Sequence, residues 1–189
     1  MGLEFELKYA ATPDILHTLT REFGDFTSIS METTYFDTQE RSLSSQKLTL
    51  RRRFENGISV CTLKTPAPSY GRGEWDVQAH WSESAVAQLF ESAGRAPVPF
   101  EELIPVCGAK FTRLAKTVEL PDCTVELALD EGILFGGGKE IPLCEVEVEL
   151  KEGPQEAAIR WALALAKLHG LTAEKASKFK RALALAEGI

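Results

Sequence analysis

The chain has 189 residues, enough to enclose a substantial core, and 44% of them are hydrophobic while 26% are charged. Its net charge of −7 argues against a surface that coats nucleic acid or anionic lipid, so a polyanionic ligand would need a concentrated internal site. The sequence contains no apolar run that could span a bilayer, and its N-terminal segment lacks the basic and apolar regions of a signal peptide.

These features predict a single domain over residues 1–189 in the cytoplasm, without membrane or nucleic-acid partners. The four cysteines lack paired spacing, which favours reduced, mostly buried thiols over a disulfide frame or a zinc site. The sequence leaves open whether the protein is a monomer or a homodimer.

Local patterns, taken in chain order, predict a strand-rich fold. A first strand over residues 3–10 precedes a helix that begins at Pro13, with Thr12 as its N-cap. Asn56-Gly57 is a strong hairpin turn signal. The other predicted strands lie at 32–38, 46–55, 58–65, 72–81, 111–120, 123–130, 132–136 and 143–151, and the later helices at 82–94, 100–108, 154–170 and 172–187. About eight strands with mostly meander connections favour an antiparallel barrel, which can hold a ligand along its axis.

Two strings of alternating charge lie near the ends of this strand-rich region: Glu4-x-Glu6-x-Lys8 and Glu145-x-Glu147-x-Glu149. Every second side chain of a strand points to the same face, so each string aligns three charges, spaced about 6.6 Å apart, opposite an apolar row. Enclosed carboxylates repel one another and require cations, whereas an enclosed lysine requires anions. A site that needs both is typical of a metal bound with a polyphosphate.

Other predicted strands carry charges with the same alternation. These residues are Arg51 and Arg53, Lys64, Arg72 with Glu74 and Asp76, Arg113, and Glu126 with Asp130. A solvated outer face explains any one strand more simply, but the repetition favours an enclosed site that several strands share. Asp76 fits the site wall and the outer rim equally well, and Arg52 and Glu55 are expected to face solvent. Asp37 fits a strand-end or turn carboxylate as well as a ligand, and is left out of the site.

A set of ordered motifs resembles the CYTH superfamily, the triphosphate tunnel metalloenzymes. Besides the two strings, these motifs are Tyr35-Phe36-Asp37-Thr38, Leu50-Arg51-Arg52-Arg53, Thr62-Leu63-Lys64, Arg72-x-Glu74, Glu126-x-x-x-Asp130 and Ser177-Lys178-x-x-Arg181. The segment from Cys144 to Glu149 and the Ser177–Arg181 pattern are most similar to the CYTH domains of bacterial inorganic triphosphatases. The resemblance implies an α+β fold in which a closed eight-stranded antiparallel barrel has helices on its outside. Members of this branch often carry a C-terminal helical CHAD domain, which this chain is expected to lack.

The resemblance also implies a role for each matching residue. Triphosphate oxygens would be held by Lys8, Arg51, Arg53, Lys64, Arg72, Arg113 and Lys178. Mg²⁺ or Mn²⁺ would be held by Glu147 and Glu149 first, then by Glu145, with Glu74, Glu126 and Asp130 completing the acidic side. Glu4 and Glu6 would hold a second metal or orient the attacking water, and together with Lys8 they form the predicted catalytic set.

The implied activity is metal-dependent hydrolysis of inorganic triphosphate. Class IV adenylate cyclase, which converts ATP to cyclic AMP and pyrophosphate, remains an alternative because it would use the same charged tunnel. Thiamine triphosphatase is a third possibility, and a module that binds polyphosphate without turnover is the weakest, since every expected carboxylate is present. The sequence contains no Walker loop and no convincing Ser-His-Asp set, in agreement with hydrolysis that needs no covalent nucleophile.

Overall fold

The computed structural model describes the backbone of residues 2–66 and 72–189 and the side chains of residues 5–66 and 73–189. Two residues with predicted roles, Glu4 and Arg72, therefore lie outside the residues whose side chains are described. The described chain has an α+β architecture, in which one large antiparallel sheet carries helices on both faces.

Ten strands of the described chain form this sheet. Their bounds are β1 (Gly2–Glu4), β2 (Glu6–Ala10), β3 (Thr27–Asp37), β4 (Thr49–Glu55), β5 (Ile58–Pro66), β6 (Arg72–Gln78), β7 (Ile104–Glu119), β8 (Thr124–Gly136), β9 (Lys139–Glu152) and β10 (Thr172–Ala173). Neighbouring strands follow the order β1-β6-β5-β4-β3-β7-β8-β9-β2-β10. The predicted hairpin at Asn56-Gly57 is confirmed as the connection between β4 and β5.

The closed eight-stranded barrel predicted from the sequence is wrong, because the ladder of the described strands is open. The predicted first strand is divided at Phe5, so that β1 pairs with β6 while β2 pairs with β9. The second edge of β2 pairs with β10, with Thr172 opposite Ala10 and Ala173 opposite Tyr9. This edge of β2 is therefore not bonded to β6, as a closed barrel would require. The α+β class is correct, but the sheet ends at β1 and at β10.

Three of the helices begin where the sequence supplies a hydroxyl cap. The helices are α1 (Pro13–Phe23), α2 (Ser42–Ser45), α3 (Glu83–Ser92), α4 (Gln155–His169) and α5 (Lys178–Glu187). The predicted start of α1 is confirmed, since Thr12 accepts a hydrogen bond from the Ile15 N–H. Ser82 caps α3 and Ser177 caps α5 in the same way. None of these described helices is long and apolar enough to cross a bilayer.

Several predicted elements differ from the observed ones. Residues 100–108 do not form a helix: a single 3₁₀ turn at Phe100–Glu102 is followed directly by β7, whose first residues pair with the end of β3. The helix predicted at 172–187 is shorter, because β10 precedes it and α5 starts only after the Ser177 cap. The strands predicted at 123–130 and 132–136 are one continuous strand, β8.

The two faces of the sheet differ in what covers them. Helices α1 and α4 pack on apolar side chains of β8 and β9, among them Leu127 and Val148, and α3 packs on Cys61 and Leu63 of β5. The opposite face receives α5, which contributes Phe179 to a third apolar cluster. Charged residues from β2 to β9 share this face and line one cavity, so the sheet is curved with this face inside.

Helix α5 lies close against the inner face because β8 has no side chain at the point of contact. A Cβ at Gly136 would lie 2.5 Å from the carbonyl oxygen of Ala182 and 3.0 Å from the nitrogen of Ala186. Glycine is therefore required for this approach of α5 to the end of β8. The opposite end of α5, from Ser177 to Phe179, reaches the cavity wall.

Candidate functional site

One cavity of about 350 Å³ brings most of the predicted site residues together. Those that line it are Glu6, Lys8, Arg51, Arg53, Lys64, Glu74, Arg113, Glu126, Glu147, Glu149 and Lys178. Two others, Asp130 and Glu145, are fully buried and lie behind this wall, in contact with Lys178. The roles assigned to these residues stay predictions, but their common location fits the expected enclosed site.

A row of three glutamates runs across β2, β9 and β8 on the cavity side. Glu6 lies directly opposite Glu149, and Glu149 lies directly opposite Glu126. Like charges that face each other across a sheet are destabilising. Lys151 relieves part of this repulsion, since its Nζ lies 2.9 Å from Glu149 and 3.8 Å from Glu126. The acidic row therefore favours additional cations.

The next row along the same strands combines opposite charges. Lys8 of β2 lies opposite Glu147 of β9, and the Lys8 Nζ donates a hydrogen bond of 3.1 Å to Glu6. Lys8 thus places a positive charge on the cavity wall directly beside the acidic row. An ammonium group at this position can bind an anion that also approaches cations held by the acidic row.

Basic residues dominate the wall formed by β4 and β5. Arg51 lies 3.1 Å and Lys64 lies 3.3 Å from the carboxylate of Glu74 on β6, so both cations contact the same side chain. Arg53, two residues along β4, lies 3.3 Å from Glu55. Burial, together with the nearby Arg51 and Arg113, lowers the pKa of Arg53 below its ordinary value. Three cations thus lie on this wall, each in contact with a carboxylate that lines the same cavity.

A buried ion cluster lies where the N-terminus of α5 meets β8 and β9. The Lys178 Nζ is 2.8 Å from Asp130 and 2.7 Å from Glu147, and it also contacts Glu145. Arg113 forms a bidentate hydrogen-bond pair with Asp130, at 2.8 and 2.7 Å, and contacts Glu147 as well. Such charge-assisted contacts fix the direction of both cationic side chains.

The cluster shifts the pKa values of its members in opposite directions. Burial disfavours the charge on Lys178, but the carboxylates of Glu147, Asp130 and Glu145 outweigh burial and raise its pKa. Burial also disfavours the charge on Glu147, yet Lys178 and Arg113 lower its pKa well below the ordinary range. For Glu145 burial dominates and raises the pKa to about 7, although Lys178 opposes this change. Charge at this site is thus set by the cations around it.

The donor set fits a hard divalent cation. Oxygen atoms of Asp130, Glu145 and Glu147 lie within 4.8 Å of one another, close enough for one ion to contact all three. The ammonium group of Lys178 lies among these same carboxylates, so an ion there would compete with it. Glu147 lines the cavity beside the acidic row. Its carboxylate could therefore contact a cation bound at the acidic row or one bound within the buried cluster. Carboxylate oxygens without sulfur or imidazole ligands suit Mg²⁺ or Mn²⁺ better than zinc.

Some residues of the site were missed or misjudged from the sequence. Glu55 was expected to face solvent, but it lines the cavity and contacts Arg53; the alternation of β4 could have placed it there. Asp76 lies on the cavity wall, where it accepts a hydrogen bond of 2.6 Å from Thr62. Arg181 contacts the buried Glu145, and the Ser177-Lys178-x-x-Arg181 pattern was its only signal.

Asp37 is not among the residues that line the cavity. Its buried carboxylate accepts hydrogen bonds from the backbone N–H groups of Thr38, Leu43 and Ser44, at 2.8, 2.9 and 3.1 Å. All the acceptor capacity of this side chain is thus directed at the turn that follows β3 and at α2. Asp37 therefore stabilises this turn, which is one of the two roles that the sequence left open.

One face of the sheet thus lines a cavity with both acidic and basic side chains. Residues 2–183 match the model of the CYTH domain family, and the chain belongs to this family. It is similar to the inorganic triphosphatase of Haemophilus influenzae, with 31% identity over 193 aligned residues that cover 94% of this chain and 53% of that protein. The chain therefore spans about half the length of this curated relative.

Solved structures share the fold at lower identity. HpAC1 from Hippeastrum, described with a dominant triphosphatase activity, superposes with a TM-score of 0.67 and 20% identity, covering 100% of this chain and 96% of that chain. The PH1819 protein from Pyrococcus horikoshii OT3 superposes with a TM-score of 0.64 and 23% identity, covering 95% of this chain and 98% of that chain. At these identities the likeness concerns the fold alone.

Proposed function

We propose that this chain hydrolyses inorganic triphosphate inside the charged cavity, with Mg²⁺ or Mn²⁺ as its cofactor. The observation that carries this proposal is that the carboxylate row of β2, β9 and β8 and the basic wall of β4 and β5 line one cavity. A triphosphate with bound divalent cations presents both charges that such a cavity requires. The similarity to an inorganic triphosphatase over nearly the whole chain supports the same reaction class.

The basic side chains would bind and orient the substrate. The guanidinium groups of Arg51 and Arg53 are suited to bidentate contacts with phosphate oxygens, and Lys64 adds a point charge on the neighbouring strand. Lys8 and Lys178 would contact the substrate from the acidic side of the cavity. Because these groups are held by carboxylates before substrate arrives, little reorganisation is needed when the negative charge of the transition state develops.

The acidic side chains would hold the cofactor and the attacking water. Glu147, Glu149 and Glu126 would bind the divalent ion, which when bound neutralises phosphate oxygens and favours ionisation of water. Glu6, at the end of the acidic row, would orient a water molecule toward the terminal phosphorus. The water oxygen would bond to this phosphorus while the bridging P–O bond breaks, and the products would be orthophosphate and pyrophosphate.

A product assay tests the proposal and separates it from its alternatives. Purified protein would be incubated with Mg²⁺ or Mn²⁺ and with tripolyphosphate, ATP or thiamine triphosphate in parallel. The proposal predicts fast release of orthophosphate from tripolyphosphate, with ATP nearly inert. Cyclic AMP and pyrophosphate from ATP would identify a cyclase, and faster hydrolysis of thiamine triphosphate would identify an organic substrate. Binding of tripolyphosphate without any product would identify a binding module.

A further inference from the structure

Arg181 lies close to the site but is not one of the residues that line the cavity. Its guanidinium group contacts one carboxylate oxygen of Glu145, while the Lys178 Nζ contacts the other oxygen. Glu145 is fully buried, so these two cations hold a carboxylate that water does not reach. The side chain of Arg181 therefore acts on the same carboxylate as Lys178, from the opposite side.

Arg181 is itself held by the segment that precedes α5. Its guanidinium lies 3.6 Å from Glu174, whose other carboxylate oxygen accepts a hydrogen bond of 2.7 Å from the Ala176 N–H. The backbone N–H of Glu174 donates a hydrogen bond of 2.8 Å to the carbonyl oxygen of Lys8 on β2. These contacts connect Arg181 to the strand that carries Glu6 and Lys8, which fixes its position relative to the site.

Arg181 supplies a third cation to the buried cluster, while its other carboxylate partner, Glu174, lies outside the cluster at 3.6 Å and is partly exposed. Three carboxylates face three cations: Asp130, Glu145 and Glu147 against Arg113, Lys178 and Arg181. Without Arg181, one oxygen of Glu145 would be buried without a cation, which is costly in a low-dielectric environment. The ammonium of Lys178, which already contacts Glu145, would then have to neutralise this carboxylate without Arg181 and would be less available to Glu147 at the cavity wall.

We propose that Arg181 is a positioning residue, which neutralises Glu145 and so leaves the ammonium of Lys178 directed at the cavity for the triphosphate. This inference rests on the proposed function for the identity of the ligand. Arg181 would not touch the substrate. It would affect binding through Lys178, and therefore KM more than kcat, since Lys178 would hold substrate and transition state alike.

The test compares Arg181→Gln and Arg181→Lys with wild type in steady-state hydrolysis of tripolyphosphate at pH 8. We expect Arg181→Gln to raise KM about tenfold and Arg181→Lys to raise it about threefold, with kcat changed less than about twofold in both. Arg160→Met is the control, because Arg160 is an exposed arginine that pairs with the exposed Asp122. A purely structural role would lower the folded fraction and hence the apparent kcat, but it would leave KM unchanged.

Each outcome bears on the inference separately from the proposed function. An unchanged KM in both variants of an active enzyme would overturn the role of Arg181 and leave the function intact. If Arg181→Gln does not fold, the KM of Arg181→Lys still decides. If wild type binds tripolyphosphate in calorimetry but does not hydrolyse it, the proposed function fails. The role of Arg181 is then still tested by the Kd for tripolyphosphate, which should rise from wild type to Arg181→Lys to Arg181→Gln. If wild type neither binds nor hydrolyses it, both proposals fail.

Discussion

Glu6 on β2 and Glu149 on β9 lie directly opposite each other, and both side chains line the cavity. Glu126 on β8 extends the same row on the other side of Glu149. A protein would gain stability by replacing such a row, because cross-strand pairs of like charge are unfavourable. The row is therefore best explained by a ligand, and its effect on stability should change sign when divalent cations are present.

Glu149→Gln should stabilise the metal-free protein. The substitution preserves shape and removes the charge that faces both Glu6 and Glu126. It also removes the contact with the half-exposed Lys151, which is worth less, so we expect a net gain of up to about 1 kcal/mol and a Tm higher by roughly 2–4 °C in EDTA. The same variant should lose most of the rise in Tm that Mn²⁺ causes in wild type. Thermal unfolding with and without Mn²⁺ measures both effects. Glu152→Gln, on an exposed residue of the same strand, is the control, and an unreduced Mn²⁺ response in Glu149→Gln would contradict the account.

Lys178→Met should destabilise the protein strongly. The ammonium of Lys178 is buried among Asp130, Glu145 and Glu147, so its removal leaves buried carboxylates short of a cation, at a cost of about 3–5 kcal/mol. Urea unfolding measures this loss. We also expect Mn²⁺ to restore part of it, since the three carboxylates could then hold a divalent ion. Lys180→Met, on an exposed residue of the same helix turn, should have little effect. A loss below about 1 kcal/mol for Lys178→Met would show that the cluster contributes little.

Neighbouring arginines of β4 provide a matched test of the basic wall. Arg53→Gln should raise KM for tripolyphosphate about tenfold or more, because its side chain lines the cavity. Arg52→Gln should change KM less than about twofold, because Arg52 is on the opposite face, where it contacts Thr34 and lies 4.9 Å from the centre of the Phe54 ring. Steady-state kinetics of the two variants distinguish the faces. Equal effects would mean that the phosphate contacts are not specific to one face of β4.

Cys107 should be unreactive at ordinary pH. All four cysteines of the chain are free thiols, and burial raises the pKa of the Cys107 thiol to about 12. The folded state therefore retains a proton that the unfolded chain releases near its ordinary pKa of about 8.5, so this group lowers stability as the pH rises above that value. Iodoacetamide at pH 8, followed by peptide mapping, should label the partly exposed Cys144 well before Cys107. Rapid labelling of Cys107 in the folded protein would contradict its burial.

The period of two along each strand accounts for what the sequence predicted well. Glu6 and Lys8 on β2, Arg51 and Arg53 on β4, and Glu147 on β9 were assigned to one shared space, and each side chain lines the cavity. Alternation is a local property that survives changes in strand pairing, because the face of a side chain depends only on its position along its own strand. Their roles in binding and catalysis await the experiments proposed above.

Long-range pairing and docking account for what the sequence did not predict. A closed barrel would require β2 to pair with a neighbouring strand of the barrel along each of its edges. No local pattern in the sequence shows that Thr172 and Ala173 pair with one of these edges instead. The burial of Asp130 and Glu145 behind Lys178 depends on the docking of α5 against the inner face, which the apolar pattern of α5 does not specify. Local apolar patterns also do not distinguish a short helix from a strand, which explains the error at residues 100–108.

The most direct test of the central claim is a ³¹P NMR time course of tripolyphosphate with the wild-type protein and Mg²⁺. The account predicts that orthophosphate and pyrophosphate appear in equal amounts, that EDTA stops the reaction, and that Arg53→Gln slows it when the substrate is below KM. Tripolyphosphate that remains unchanged with folded protein and Mg²⁺, or hydrolysis that continues at the same rate in EDTA, would contradict it.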